Sequence, residues 1–147
     1  MNTSTRPATL SDLDWLEPFY ENLMRPYYEV SMKWDRTVFR KHFDPHEVEI
    51  ITFEDQDIGM LKVQHHTDHI YLGDIQISQE FQNMGIGSSL IANVLAEADE
   101  QSIPVRLRVL KSNPARNLYT RMGFIELEDA GHATFMIRHS SNPISTP

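Results

Sequence analysis

Cysteine is absent from the 147 residues of the chain. Disulfide bonds, metal sites built on thiolates and catalysis by a cysteine nucleophile are therefore excluded. Basic residues are also scarce, since 13 Lys and Arg stand against 21 Asp and Glu and give a formal net charge of -8. Nucleic-acid surfaces need clustered cations to displace counterions, so we expect no nucleic-acid partner. An acidic field mildly favours cationic small substrates, although acidity also serves solubility alone.

Long apolar runs are missing as well. No stretch approaches the roughly 20 apolar residues of a membrane helix, and the opening MNTSTRPATL lacks the apolar core of a secretory signal. We therefore expect a cytoplasmic protein with no membrane partner. Length and composition predict one globular domain over 1–139 and a flexible, Ser- and Pro-rich tail at 140–147.

Hydrophobic spacing predicts helices and strands that alternate along the chain. After an opening strand, the predicted helices cover 11–24, 35–43, 85–99 and 114–122, and the predicted strands cover 48–53, 58–65, 69–77, 104–110, 124–128 and 132–138. Pro18 is expected to interrupt or kink the first helix. The order predicts an α+β or mixed α/β domain, in which helices cover a largely antiparallel sheet.

The glycine-containing segment QNMGIGS, at 82–88, joins a predicted strand to the longest predicted helix. Glycines let a backbone approach a ligand, and the helix N-terminus directs unpaired N–H groups and a positive dipole end at it, which favours a phosphate or pyrophosphate. Alternatively, the glycines only allow a turn. Two other phosphate motifs do not fit, because no Lys-Ser/Thr pair follows and Leu90 stands where a dinucleotide fingerprint has its third glycine.

A second segment, NPARNLYTRMGF at 113–124, follows the next predicted strand. Asn113 and Pro114 suit the start of a helix and Gly123 suits its end. Neither the start nor the end of the helix explains Tyr119. It is either a half-buried aromatic with a hydrated hydroxyl or a functional residue.

Together, and about 30 residues apart, QNMGIG and NPARNLYTRMGF resemble two motifs of the GNAT superfamily of acyl-CoA-dependent N-acyltransferases. The first is similar to its Q/RxxGxG/A loop and the second to its NxARxLYxxxGF segment. RPATLSDLDWL also resembles the family's first strand and turn, so the likeness covers about 6–138. It implies a GNAT-like central, mostly antiparallel, splayed sheet flanked by helices.

The resemblance also implies roles for individual residues, with acetyl-CoA as cosubstrate and no metal. The loop at 82–88 would wrap the CoA pyrophosphate, and backbone groups of Ile75 and Ile77 would pair with the pantetheine arm. Asn113 matches a residue that contacts this arm, and Tyr119 matches the usual general acid. The full predicted CoA set is Ile75, Ile77, Gln82, Asn83, Met84, Gly85, Ile86, Gly87, Ser88, Asn113, Arg116 and Tyr119.

Attack of an amine on a thioester needs a neutral amine and a proton for the departing thiolate. A phenol with a reference pKa near ~10 can donate that proton, and the N–H of Ile77 is the family's candidate donor to the carbonyl oxygen. The base is open. The position of a catalytic carboxylate in some family members is occupied by Tyr71, and Asp74 lies on the opposite strand face by alternation. The remaining candidate bases are His65, His66, Glu54 and His132, and His132 is favoured because its strand commonly borders the acceptor cleft.

The acceptor pocket is expected between the first two helices, where Tyr27, Tyr28 and Trp34 lie near acidic residues, a combination that suits an ammonium group. Tyr71 completes the predicted substrate-binding residues. Alternatively, these aromatics only pack the helices onto the sheet. We expect an N-acetyltransferase for a small amine, a polyamine, an amino-acid-like metabolite or a peptide amine. The alternative is a non-catalytic acyl-CoA sensor, and assembly as a homodimer is left open.

Overall fold

The computed structural model describes residues 2–141. In this part of the chain, four helices and seven strands alternate in nearly the predicted order. The helices are α1 (Leu13–Tyr28), α2 (Thr37–His42), α3 (Ile86–Glu100) and α4 (Ala115–Arg121). The strands are β1 (Thr3–Pro7), β2 (Val48–Phe53), β3 (Gln56–His65), β4 (Ile70–Ile77), β5 (Val105–Leu110), β6 (Ile125–Asp129) and β7 (Ala133–Arg138).

The seven strands follow the hydrogen-bonded order β1-β2-β3-β4-β5-β7-β6. The β1–β2, β2–β3, β5–β7 and β6–β7 pairs are antiparallel, whereas β4 and β5 are parallel. The predicted mixed α+β class, with a mostly antiparallel sheet and flanking helices, is confirmed. The chain divides into two compact units, Met1–Lys62 with Asp74–Met84 and Val63–Gly73 with Gly85–Pro147.

In the first unit, α1 runs to Tyr28 and passes through Pro18 and Pro26. Of the two outcomes expected for Pro18, an interruption or a kink, the interruption is wrong because α1 is continuous from Leu13 to Tyr28. Each proline removes one N–H from the helical ladder, so only the carbonyls four residues earlier lose a donor. One stripe of α1 is buried and consists of Leu13, Leu16, Tyr20 and Met24, so packing of this face outweighs the loss.

The start of α1 is tied to β1 by a charged network in the same unit. The guanidinium of Arg6 donates to both oxygens of Asp12, at 2.8 and 3.0 Å, and also to Asp57. Asp12 accepts further bonds from the N–H of Thr9 and the indole of Trp15. The Arg6 hydrogen bond is the main cause that holds the pKa of Asp12 far below its usual range. A carboxylate this well partnered fixes the chain direction into α1.

Also in the first unit, β3 approaches the end of β4 very closely. A Cβ on Gly59 would lie 2.1 Å from the backbone oxygen of Gln76, so the position admits only glycine. Beside it, the N–H of Ser78 donates to the carbonyl of Ile58 at 2.8 Å. These backbone contacts fix the position of the last residues of β4.

The second unit is organised around β5, whose ladder with β7 spans all six residues of the strand, Val105–Leu110. The parallel ladder with β4 is shorter and joins Ile70–Leu72 to Val105–Leu107. Within this unit it therefore ends before β5 does, in keeping with the splayed sheet. Both α3 and α4 contact β5. The core consists of residues such as Ile70, Leu72, Ile91, Leu107, Phe124 and Met136, each at most 2% exposed.

Near the end of the described chain, Asp99 binds Arg138 and the following segment. Arg138 Nη1 donates to Asp99 Oδ1 at 2.6 Å, and Ser141 donates to the same carboxylate through its N–H and its hydroxyl. The predicted tail 140–147 lies outside the described residues from 142 onward. None of the helices within 2–141 has the length and apolar character needed to cross a bilayer.

Candidate active site

The segment that leads into α3 has the conformation expected of an anion-binding turn. Asn83 and Gly85 are left-handed, with φ of 62° and 82°, and no side chain caps α3. The first bond of α3 runs from the N–H of Ser89 to the carbonyl of Gly85. The amides of Ile86, Gly87 and Ser88 therefore have no acceptor within the helix itself.

The space at this turn also suits a close ligand. A Cβ on Gly85 would meet no atom within 4 Å, so protein does not fill the region beside the glycine. The side chain of Gln82 folds back to β4, where its Nε2 donates to the carbonyl of Ile77 at 2.8 Å. The residues present fit a pyrophosphate bound through backbone amides. CoA contacts of Ile75, Ile77 and 82–88 stay predictions.

In the second unit, Asn113 and Tyr119 have defined positions. Asn113 Oδ1 accepts from the N–H of Ala115 at 3.0 Å, which is the expected helix-starting contact. Tyr119 is 8% exposed and packs edge-on against Phe124, with ring centroids 5.7 Å apart. Arg116, predicted to bind CoA, forms an ion pair with Glu126. Tyr119 is thus held in one orientation, as both a core residue and a general acid require.

The favoured base, His132, is engaged by an arginine. Its Nε2 lies 3.0 Å from Nη2 of Arg108. A guanidinium only donates, so Nε2 accepts and the ring proton lies on Nδ1. In this tautomer neither ring nitrogen keeps a free lone pair.

The other predicted bases and Tyr71 are distributed over several elements. Nε2 of His65 lies 2.9 Å from a carboxylate oxygen of Glu97, and the ring of His66 stacks on His69. Glu54 lies exposed in the β2–β3 turn with φ of 48°. Tyr71 stands opposite Arg106 in the parallel ladder. None of these arrangements singles out a base.

The first unit contains a partly open cavity of about 270 Å³ between α1, α2 and the strands. Its aromatic wall consists of Tyr20, Tyr28, Trp34, Phe39 and Phe43. Two of the predicted acceptor residues, Tyr28 and Trp34, therefore line it, whereas Tyr27 does not. The indole Nε1 of Trp34 is buried and has no hydrogen-bond partner among the described residues.

The sequence interpretation missed the carboxylate of this cavity, Asp74. Burial raises its pKa to about 6, opposed by a hydrogen bond from Gln76, by the charge of Lys62 and by the hydroxyl of Tyr20. The pKa of Tyr20 is in turn raised well above its usual value, first by burial and then by the charge of Asp74. Asp74 is half-buried, and a carboxylate with a raised pKa in a cavity is a typical feature of a binding or catalytic site.

Alternation along β4 was the signal that could have identified Asp74. Ile70 and Leu72 are buried, and Asp74 follows them at the same two-residue period, so its side chain points inward. The sequence analysis set Asp74 aside because it faces away from Tyr71. The cavity shows that the face of Asp74 is the one that meets the predicted aromatic pocket. Within the described residues, no group of His, Asp and Glu is arranged to hold a metal ion.

The family model for the acetyltransferase (GNAT) family matches residues 9–124. This match spans more than half of the chain, and the protein belongs to the GNAT acetyltransferase family. No curated protein matches the sequence at a significant level.

Solved structures with the same fold include several N-acetyltransferases. One is the PaiA N-acetyltransferase of Thermoplasma acidophilum in complex with coenzyme A, with a TM-score of 0.76, 15% identity and coverage of 95% of this chain and 99% of that chain. Another is the ribosomal-protein-S18-alanine N-acetyltransferase of Escherichia coli, with a TM-score of 0.70, 17% identity and coverage of 98% and 96%. At these identities the likeness shows the fold.

The shifted pKa of Asp74 predicts a pH-dependent stability. Folded Asp74 has a pKa of about 6 against 3.8 ordinarily, so the folded state binds this proton more tightly than the unfolded chain does. The resulting stabilisation is complete below pH 3.8 and is lost as the pH rises through 6. Asp74→Asn should therefore raise the free energy of unfolding by about 1–3 kcal/mol at pH 7.5, and the gain should shrink towards pH 4.5.

Urea unfolding of both proteins at the two pH values measures this difference. Asp55→Asn is the matched control, because Asp55 is exposed in the β2–β3 turn and its left-handed φ of 67° suits asparagine. A variant at Asp74 that is less stable than the wild type at both pH values would contradict the assignment of a costly buried charge.

Proposed function

We propose that the chain is an acetyl-CoA-dependent N-acetyltransferase that acetylates a primary amine. The observation that carries this proposal is the short run of chain from Asp74 to the start of α3. It contains the cavity carboxylate, the strand end at Ile75 and Ile77, and the left-handed turn at Asn83 and Gly85. Membership of the GNAT acetyltransferase family supports the same function, as does the solved structure of the same fold in complex with coenzyme A.

In the proposed reaction the amine nitrogen bonds to the acetyl carbon, and the bond between that carbon and the CoA sulfur breaks. The nitrogen loses a proton to a base and the sulfur gains one. We assign donation to the sulfur to the phenol of Tyr119, which then recovers a proton from solvent. The N–H of Ile77 is assigned to the carbonyl oxygen as negative charge develops on it. Asp74 joins the earlier candidates for the base.

The second candidate function is a sensor that binds acyl-CoA without catalysis. The cavity favours the enzyme, because a sensor has no need of a costly carboxylate beside the strand predicted to hold the acyl donor. A cytoplasmic location stays a prediction from the sequence, and assembly as a homodimer stays open.

A pair of glycine substitutions tests the CoA site. Gly85 and Gly131 both have left-handed φ, 82° and 79°, and at both a new Cβ would meet nothing within 4 Å. Gly85→Ala and Gly131→Ala should each lose about 1–2 kcal/mol of stability through backbone strain. Only Gly85→Ala should also weaken CoA binding, by about tenfold or more, because its methyl group occupies the path of the pyrophosphate.

Titration calorimetry with CoA, beside urea unfolding, separates the two effects. Equal CoA affinity in both variants would remove the turn at Gly85 from the binding site. Absence of CoA binding by the wild-type protein would contradict the proposed function itself.

Tyr119→Phe tests the proton donor. The substitution removes one hydroxyl and keeps the ring that packs on Phe124, so CoA affinity should hold and stability should change by about 1 kcal/mol at most. Loss of general-acid assistance should lower kcat by about 10²- to 10⁴-fold. Because slow product release can hide a chemical defect, the comparison needs single-turnover rates over a range of pH. Unchanged single-turnover rates would exclude Tyr119 as the acid.

A further inference from the structure

We propose that the cavity between α1, α2 and the strands is the acceptor site, and that it selects a small monoamine with an apolar, aromatic-sized body whose ammonium group binds Asp74. This inference rests on the proposed acetyltransferase function and narrows its substrate class. It sets the expected acceptor apart from polyamines and from the amino end of a peptide chain.

The volume of the cavity limits the size of the ligand. A cavity of about 270 Å³ equals the volume of roughly nine water molecules in the liquid, at about 30 Å³ each. It therefore holds a ligand of roughly nine or ten non-hydrogen atoms, at the small end of ligand sites. A peptide segment of several residues is larger than this volume.

The wall of the cavity is aromatic and apolar. The ring of Tyr20 lies 4.6 Å from that of Phe39 and 6.1 Å from that of Trp34, and Tyr28 meets Trp34 edge-on at 5.4 Å. Val48 and Met60 close the side formed by the strands. Such a wall desolvates an apolar body, and its ring faces attract a cation.

The charged side chains that line the cavity limit the charge of the ligand. Asp74 is half-buried and lines the cavity, whereas the other lining carboxylate, Asp35, is exposed and accepts bonds from the N–H and hydroxyl of Thr37. One carboxylate is therefore available for one ammonium group. Lys33 and Lys62 also line the cavity, and they would repel a second cationic group on the same ligand.

The protein stabilises the charged form of Asp74 only in part, because Gln76, Lys62 and Tyr20 favour that form less than burial disfavours it. The buried Trp34 Nε1–H lacks a partner among the described residues, and the charged form of Asp74 is disfavoured by burial. Both arrangements cost free energy in the empty protein. An ammonium group beside Asp74 offsets the larger of the two, which is the behaviour expected of a site completed by its ligand.

Titration calorimetry of the full chain with three probes tests the proposal. 2-Phenylethylamine should bind, spermidine of similar size should bind at least tenfold more weakly, and phenylacetate should not bind. Asp74→Asn should weaken 2-phenylethylamine about 10- to 100-fold, as expected for loss of a charged hydrogen bond. The control Asp55→Asn, which changes the net charge equally outside the cavity, should bind within about twofold of the wild type.

A second variant keeps the test independent of Asp74. Val38 lies on α2, lines the cavity and is 47% exposed, so Val38→Trp can block the cavity without disturbing the core. It should abolish 2-phenylethylamine binding and leave CoA binding intact. Spermidine binding as tightly as 2-phenylethylamine, or 2-phenylethylamine binding equally to both cavity variants, would overturn the inference. Normal CoA binding in the same samples shows that such a failure concerns the acceptor site and not the proposed function.

Discussion

The backbone of β3 at Gly59 lies against the backbone of β4 at Gln76 with no room for a side chain, and the candidate site depends on this contact. It holds the end of β4 so that Asp74 reaches the cavity and Ile77 leads into the turn before α3. Ile77 is tied to that turn by Gln82. The proposed acceptor carboxylate and the strand end predicted to hold the acyl donor thus lie in one short run of chain, as catalysis by positioning requires.

The raised pKa of Asp74 indicates that its charged form costs stability in the first unit. Apolar neighbours and aromatic rings stabilise the first unit, yet they also desolvate Asp74 and raise its pKa to about 6. A leucine or asparagine at this position would avoid the cost of a buried charge. Retention of the carboxylate is explained when a cationic ligand restores the missing interaction, and the proposed amine acceptor does so.

Much of the fold was predictable because local patterns and tertiary packing agree. The helical spacing of apolar residues located α1 and α3, and β-branched runs located β2 and β3 within a few residues. The interruption expected at Pro18 does not occur, because burial of one face of α1 outweighs a single lost hydrogen bond. The turn at Gly85 followed from glycine chemistry and from the resemblance, and its left-handed conformation agrees with both. The position of Asp74 in the cavity was not predicted. Alternation along β4 places Tyr71 and Asp74 on opposite faces, but it does not say which of the two faces lines the cavity.

The most direct test of the account is the stoichiometry of transfer from acetyl-CoA to 2-phenylethylamine, with N-acetylated product measured by mass spectrometry and free CoA thiol measured in the same reaction. The account predicts one acetylated amine for each thiol released, and loss of both signals together in Val38→Trp. Thiol release without acetylated amine, or CoA binding without transfer to this or any other amine, would contradict it.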